Sequence, residues 1–156
     1  LPVIWEKLIL KSKLYTALTM EKHFNLSDSD FENKFIHCNL SPSEFTHEAH
    51  LRLAWLNIYK YGIEQAEINI QNQLYKFVLF AGAKDKYNLT LTLAATKAVY
   101  HFMLKSNSDN FKDFISEFPR LKYNFKELMD CHYGFDIYNS EKAKTEFLEP
   151  DLIPFD

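Results

Sequence analysis

The chain has 156 residues, of which 47% are hydrophobic and 25% are charged. This length fits one domain with a substantial core, and the hydrophobic content excludes a disordered protein. The net charge of -3 and the scattered lysines and arginines exclude a broad basic surface, so we expect neither nucleic acid nor a membrane as a main partner. Three glycines are too few for a phosphate-binding loop, and neither G-x-G-x-x-G nor a P-loop pattern occurs.

The first helical signal lies in residues 2–23, where apolar side chains follow a helical stripe, although residues 3–10 alone would also fit a strand. A polar connector, residues 25–30, follows this segment. A short helix that carries Phe31 and Ile36 comes next, because its apolar residues share one helical face. We therefore expect the connector to separate an N-terminal helix from the main core.

Residues that typically begin or end helices divide the next part of the chain. Ser29 or Asp30 can cap the short helix, which stops near Cys38. Pro42 then favours a turn, and Thr46 is a good N-cap. A longer helix is therefore predicted to begin directly after Thr46.

This longer helix is predicted to run to about Tyr61, with Gly62 as the left-handed residue that ends it. Residues 63–81 repeat apolar side chains at helical spacing, so a second helix should fold back antiparallel to the first. Gly82 should end that helix. Residues 87–104 form the most apolar helix of the chain, which we expect to lie centrally.

Three shorter helices are predicted in the last third of the chain. They cover residues 111–118 with Asp109 as the cap, residues 124–131, and residues 140–147 with Ser140 as the cap. Together the elements predict an all-α, single-domain helical bundle of about six helices over residues 1–156. Within it, residues 1–30 would form an N-terminal helix and connector, and residues 31–154 the core.

Two histidines lie at the start of the longer helix. Because His47 and His50 are three residues apart, they share a helix face with Leu51 and Ala54, which should turn both rings toward the interior. Glu48, about 100° away around the helix, should face solvent. Two inward imidazoles either donate hydrogen bonds as core residues or converge on one metal ion, and the pattern leaves both open.

Four blocks of sequence stand out: F-T-H-E-A-H-L-R-L-A-W from Phe45, Y-N-L-T-L-T from Tyr87, H-Y at His132 and E-P-D-L from Glu149. Together they resemble a family of small, uncharacterised, all-helical bacterial proteins that carry F-x-H-x-x-H-L-R-x-A-W, Y-H-x-T-L-T, H-Y-S and E-P-D-L in the same order. The resemblance covers about residues 31–154. It supplies a pattern of candidate residues and no reaction.

The resemblance implies three candidate metal ligands, His47, His50 and His132, with Asn88 where the family pattern has histidine. An asparagine amide is a far weaker ligand for a transition metal than an imidazole. Gly134 replaces the serine that follows H-Y in the family, which loosens the backbone there.

Two functions follow from these residues, and the sequence does not decide between them. The first is a metal or small-ligand protein, in which the three histidines bind one divalent transition metal and leave a position open for a small molecule. Further residues of that cofactor or ligand site would be Asn88, Tyr133 and Glu149. The second is a non-catalytic interaction or structural domain whose histidines are hydrogen-bonded core groups. Enzymatic activity, the identity of the metal and the oligomeric state stay open.

The remaining histidines and the cysteines have no assigned role. His101 is predicted as a core residue, and His23 and His37 as surface or capping residues. Cys38 and Cys131 form no C-x-x-C motif and are predicted as buried thiols. No apolar run is long enough to cross a membrane, so we expect a soluble, cytoplasmic protein, with further sequence ahead of a first residue that is not methionine.

Overall fold

A computed structural model describes residues 20–155, and this part of the chain is helical without a strand. Its helices are α1 (Asp28–Ile36), α2 (His47–Phe80), α3 (Leu89–Met103), α4 (Phe111–Glu117), α5 (Arg120–Tyr123), α6 (Phe125–His132) and α7 (Glu141–Thr145). Two 3-10 turns cover Lys22–Asn25 and Lys84–Lys86. The predicted all-α, single-domain fold is thereby confirmed. Most of the helix predicted for residues 2–23 lies outside the described residues. None of the helices described is long and apolar enough to cross a bilayer.

Helix caps explain where two of the predicted helices begin. The Thr46 side chain accepts a hydrogen bond from the backbone N–H of Ala49 at 3.3 Å, and Ser140 does the same for Ala143 at 3.1 Å. Each bond satisfies an N–H that has no partner inside the helix. The predicted starts of α2 and α7 are therefore confirmed.

Two other caps differ from the prediction by one to three residues. Ser27 caps α1, in place of Ser29 or Asp30, because its hydroxyl oxygen lies 3.1 Å from the Asp30 backbone N–H. Asn110 caps α4, in place of Asp109. Neighbouring serines, asparagines and aspartates are equally good caps by residue type, so the sequence does not distinguish them.

Gly62 divides α2 into a first and a second half that form a hairpin. Its backbone angles, φ 77° and ψ 167°, are not helical and lie where side chains are rarely tolerated. Close to this turn, Asn69 Nδ2 donates to Asn57 Oδ1 at 3.2 Å. At the far end, the rings of Phe45 and Phe77 lie 5.0 Å apart. The halves therefore run antiparallel, as predicted.

Gly82 ends the second half of α2 in the predicted place. It has φ 68°, and its N–H donates to the carbonyl of Leu79 at 3.1 Å. The N–H of Ala83 donates to the carbonyl of Val78 at 2.8 Å, which completes a Schellman motif. Cys38 plays the same part after α1 with φ 57°, an uncommon conformation for a residue with a side chain.

The central position predicted for the most apolar helix is also seen. α3 packs against both α2 and α7. Its buried side chains include Leu93, Ala94, Ala98 and Val99. Burial on several sides offsets the low helix propensity of its threonines, so tertiary packing holds this helix.

The segment after α7, residues 146–155, is here called the tail, and it packs back on the bundle. The Thr90 hydroxyl, in the first turn of α3, donates to the carbonyl of Glu146 at 2.6 Å and accepts from the N–H of Leu148 at 3.0 Å. The N–H of Leu152 donates to the carbonyl of His132 at 3.0 Å, at the end of α6. The tail thus joins two helices that are distant in sequence.

The residues without an assigned role follow the predictions in part. His37 acts as a capping residue, with Nδ1 donating to the carbonyl of Asn33 at 2.8 Å. Cys38 is buried as predicted, but Cys131 is exposed, so that prediction is wrong for the second cysteine. His101 is only partly buried.

Candidate functional site

A cleft of about 520 Å³ lies between the α2 hairpin and α3. Most of its walls are apolar, formed by residues such as Phe45, Leu51, Ile70, Leu74, Phe77 and Leu91. Three of the residues singled out in the sequence, His47, His50 and Asn88, also line it. The cleft is therefore an apolar space with a few polar groups, which is the usual character of a small-molecule site.

His50 is held rigidly in this cleft. Its Nδ1 lies 2.8 Å from the carbonyl oxygen of Thr46, and its ring stacks on Phe45 with centroids 3.8 Å apart. A carbonyl can only accept, so Nδ1 carries the proton and Nε2 the lone pair. No residue in the described range hydrogen-bonds to Nε2. His50 thus presents a fixed hydrogen-bond acceptor without a protein partner there.

The surroundings also keep His50 neutral. The pKa of the imidazole is lowered from 6.5 to about 4, mainly by burial and to a smaller extent by the nearby His47, against an opposing effect of the hydrogen bond to the Thr46 carbonyl. Charging a buried imidazole costs free energy because the low-dielectric interior replaces water. At neutral pH the ring is therefore an uncharged acceptor.

His47 does not point into the interior. It is exposed, its Nε2 donates to the carbonyl of Leu121 at 2.8 Å, and its ring lies 4.8 Å from that of Phe125. The prediction that both rings face inward is wrong for His47, and the prediction that Glu48 faces solvent is wrong too, because Glu48 is only 3% exposed. The first 3-10 turn, Lys22–Asn25, and α5 cover the side of α2 that carries Glu48.

Glu48 is buried because each oxygen of its carboxylate has a hydrogen-bond or ion-pair partner. Its Oε1 accepts from His23 Nε2 at 2.8 Å, and its Oε2 pairs with Lys122 Nζ. Burial raises the pKa of Glu48, but the hydrogen bonds from His23 and Lys122 outweigh burial, and the net pKa is lowered. His23, predicted as a surface or capping residue, is 1% exposed, so that prediction is wrong as well.

Arg52 completes this buried cluster one helical turn after Glu48. Its guanidinium donates to the carbonyl of His23 at 2.5 Å and to Asp28 Oδ1 at 2.7 Å. It also lies 4.8 Å from the centre of the Phe31 ring, a cation-π distance. The cluster therefore connects the first 3-10 turn and the start of α1 to α2.

Within residues 20–155, one group of three potential metal ligands has its atoms within 4.8 Å of one another: Glu21, His23 and Glu48. The Lys122 ammonium lies beside both carboxylates, and it is 3.4 Å from Glu21 Oε1. Arg52 NH1 lies 3.4 Å from His23 Nδ1. Lys122 already pairs with both carboxylates, and Arg52 pairs with Asp28, so the group has the composition of an internal ion network.

His132 lies at the tail and does not line the cleft. Its Nδ1 donates to the carbonyl of Ile153 at 2.7 Å, and its ring stacks on Phe155 with centroids 4.1 Å apart. The structure therefore does not bring His132 together with His47 and His50. Metal binding by these three histidines stays a prediction that the arrangement does not support.

Tyr133 and Glu149 also belong to the region of the tail. The buried Tyr133 hydroxyl donates to the carbonyl of Leu148 at 2.9 Å, and burial, with a smaller effect of the Glu149 charge, raises its pKa to about 12. Glu149 is exposed. Next to Tyr133, the Gly134 N–H donates to Asp151 Oδ1 at 2.7 Å. The H-Y and E-P-D-L blocks thus meet in space, and their contacts there hold the tail.

Asn88 has two hydrogen bonds that a histidine would not reproduce together. Its Oδ1 caps α3 by accepting from the Leu91 N–H at 2.9 Å, and its Nδ2 donates to the carbonyl of Ile137 at 2.8 Å. Both ends of the buried amide are therefore occupied. Asn88 shapes one wall of the cleft and is a weak candidate for a further ligand contact.

No known family model, curated protein or solved structure matches the chain. The resemblance to the bacterial family therefore stays a prediction. Any functional conclusion depends on the geometry of the cleft and of the groups around it.

Sequence reasoning missed the partners of Glu48 and Arg52. A signal was present, because these two charged residues stand in an otherwise apolar run of α2. Charged side chains in such a run require hydrogen-bond or ion-pair partners. The residues that supply them, His23, Asp28 and Lys122, are distant in sequence, so only the fold identifies them.

Proposed function

We propose that the chain binds a small, largely apolar molecule in the cleft between the α2 hairpin and α3. The observation that carries this proposal is the His50 imidazole, held by the Thr46 carbonyl with Nε2 as an acceptor in a mostly apolar space of about 520 Å³. A volume of this order is typical of sites for small molecules. The ligand would donate a hydrogen bond to Nε2.

The neutral state of His50 restricts the chemistry of the ligand. A neutral acceptor favours a neutral donor such as a hydroxyl group and gives no attraction to a carboxylate. The apolar walls favour a ligand body that is aromatic or aliphatic, because burying it removes apolar surface from water. We therefore expect an apolar alcohol or phenol to bind more tightly than the same molecule without the hydroxyl.

A matched pair of probes tests this proposal: 1-naphthol, which can donate to Nε2, and 1-methylnaphthalene, which cannot. Calorimetric titration should give about tenfold tighter binding of 1-naphthol, the equivalent of one good hydrogen bond. His50→Phe should remove this difference, because phenylalanine keeps the stacking on Phe45 and lacks the acceptor.

Blocking the cleft provides the second half of the test. Ala95 lines the cleft on α3, so Ala95→Trp should prevent binding of both probes. Lys112→Trp, at an exposed position of α4, is the matched control and should leave binding unchanged. If neither probe binds the unmodified chain, the ligand proposal fails.

One observation favours the second candidate, a non-catalytic structural or interaction domain. His47, His50 and His132 each donate a hydrogen bond to a backbone carbonyl, at 2.8, 2.8 and 2.7 Å. Histidines in such a domain need no ligand, because the N–H group of each ring already has a carbonyl as its acceptor. Failure of both probes to bind would support this candidate.

A further inference from the structure

A second pocket, of about 440 Å³, lies between α6 and the loop that leads to α7. Residues 134–139 form the loop side of this pocket. Its volume is within the range of small-molecule sites. The pocket shares only Tyr138 with the cleft, so nearly all of its lining is separate. It can therefore take a ligand of its own.

Three aromatic residues, Tyr133, Phe135 and Tyr138, line this pocket. The ring of Phe135 is 41% exposed and meets the ring of Tyr133 edge-on, with centroids 5.5 Å apart. The face of an aromatic ring carries a partial negative charge, which attracts cations. The rings therefore favour a ligand that combines an apolar surface with a positive charge.

The charged groups of the lining favour the same kind of ligand. Two carboxylates, of Asp130 and Asp136, stand against one ammonium group, of Lys126, and all three residues are exposed, so a ligand can reach them. Burial, together with the charges of Asp130 and Asp136, raises the pKa of Tyr138 to about 12. The field of the two carboxylates thus extends to this ring. The excess negative charge attracts a cation and repels an anion.

Asp136 is held in a fixed position by its own loop. Its Oδ1 accepts from the backbone N–H groups of Tyr138 at 2.8 Å and Asn139 at 3.1 Å, and its Oδ2 accepts from Asn139 Nδ2 at 2.8 Å. These hydrogen bonds, above all that from the Asn139 side chain, lower the pKa of Asp136. No lysine or arginine in the described range forms an ion pair with it. Asp136 is therefore a fixed charge that can face a cation of a ligand.

Lys126 already places an ammonium group at the edge of this pocket. Its Nζ lies 2.9 Å from Asp130 Oδ2 and 5.9 Å from the centre of the Tyr138 ring, a cation-π distance. The Lys126 side chain is 73% exposed, and ion pairs of such exposed side chains are weak. A ligand cation can therefore displace it and take the place between the carboxylate and the ring.

We propose that this pocket binds a small organic cation with an alkylated ammonium group. The alkyl groups would pack on the aromatic rings, and the charge would face Asp130 and Asp136. A primary ammonium would gain less, because it is strongly hydrated and Lys126 already supplies one. The excess negative charge disfavours a ligand that also carries a phosphate, such as the headgroup of a lipid.

NMR titration of the ¹⁵N-labelled chain with choline tests this site. The matched control is 3,3-dimethyl-1-butanol, which has the shape of choline with carbon in place of the charged nitrogen. Choline should shift the backbone amide signals of residues 126–139 and bind about tenfold more tightly than the alcohol. High salt should reduce this difference, because it screens the exposed charges.

Phosphocholine distinguishes a free cation from a lipid headgroup. It carries the same ammonium group as choline, but its phosphate should be repelled by Asp130 and Asp136, so it should bind more weakly than choline. Tighter binding of phosphocholine would overturn the proposal of a free organic cation.

Variants test the charges and the ring separately. Lys126→Gln removes the competing ammonium, so choline should bind about threefold more tightly. Lys112→Gln, at an exposed position of α4, changes the net charge equally and should leave binding unchanged. Asp136→Asn keeps the acceptor for the loop N–H groups and removes the charge, and Phe135→Leu removes the ring. Each should weaken choline about threefold to fivefold without changing the affinity for the alcohol.

The proposal is overturned if choline shifts none of these signals, or if the alcohol binds as tightly as choline. It is equally overturned if Lys126→Gln changes choline binding no more than Lys112→Gln. His50→Phe should leave choline binding unchanged, because His50 lines the cleft and not this pocket. The two proposed sites can therefore fail independently of each other.

Discussion

The His23 imidazole donates to the Glu48 carboxylate at 2.8 Å, although both side chains are almost completely buried. Lys122 pairs with the second oxygen of the same carboxylate. This arrangement joins the first 3-10 turn, α2 and α5 around one negative charge. Replacing one partner leaves the others with buried charge and unmatched hydrogen bonds, which is far more costly than the net stability of the intact group.

Glu48→Ala should therefore lower the free energy of unfolding by about 3 kcal/mol. Urea denaturation followed by circular dichroism measures this change. Glu64→Ala, at an exposed position of the same helix, should stay within about 0.5 kcal/mol of the unmodified chain. Similar losses in both variants would mean that Glu48 is not in a buried ion network.

His50 should make stability depend on pH. Because its pKa falls from 6.5 to about 4 on folding, the unfolded chain binds the proton more readily between these values. Stability is then full above the unfolded pKa and declines as pH falls toward the folded pKa, with a loss of about 2 kcal/mol between pH 7.5 and pH 5.

Urea denaturation at both pH values measures this loss, and His50→Phe is the control. Phenylalanine does not titrate, so the decline assigned to His50 should disappear in that variant. An equal decline in both chains would assign the pH dependence to other groups. Glu48 contributes to the pH dependence of stability at lower pH. Because folding lowers its pKa, its contribution to the free energy of unfolding is full above its unfolded pKa of 4.5 and is lost as the pH falls below that value.

The turn inside α2 should not tolerate a side chain at Gly62. A methyl group there would meet no atom within 4 Å, so any cost comes from the backbone angles alone. Gly62→Ala should lower the free energy of unfolding by about 1 to 3 kcal/mol. Gly82→Ala, in the left-handed conformation that ends the helix, should cost only about 1 kcal/mol. The order of the two melting temperatures checks this prediction.

The predicted metal site has a separate test. His47→Ala and His132→Ala should each lower the free energy of unfolding by about 1 kcal/mol through a lost hydrogen bond, without a change in bound metal. Elemental analysis of untagged protein, with and without a chelator, measures the metal. One equivalent in the unmodified chain and its loss in both variants would establish the histidine metal site instead. Asn88→His would then be expected to tighten binding.

The fold was largely predictable because it depends on local signals. Thr46 and Ser140 cap their helices, and Gly62 and Gly82 interrupt the chain where the apolar pattern ends. These features act through neighbouring residues, so the sequence displays them directly. The cap of α1 shows the limit of this reasoning. Ser27 caps the helix where Ser29 was predicted, because neighbouring cap residues differ little in the free energy that they contribute.

The candidate site was predictable only in part. His50 lies between the α2 hairpin and α3 as expected, but the neighbouring His47 and Glu48 exchange the exposed and buried positions predicted for them. Helical periodicity could not distinguish them, because residues 51–58 of α2 are buried on every side of the helix. What decides their positions is His23 and Lys122, which reach Glu48 from distant parts of the chain.

The contacts of the tail bear on the order in which the chain assembles. The hairpin bond between Asn57 and Asn69 spans 12 residues, whereas the bond between Thr90 and Leu148 spans 58. Closing the longer loop costs more chain entropy before any contact forms. We therefore expect the hairpin to form early in folding and the tail to dock late. A kinetic intermediate would then contain a formed hairpin, with the first turn of α3 not yet covered by the tail.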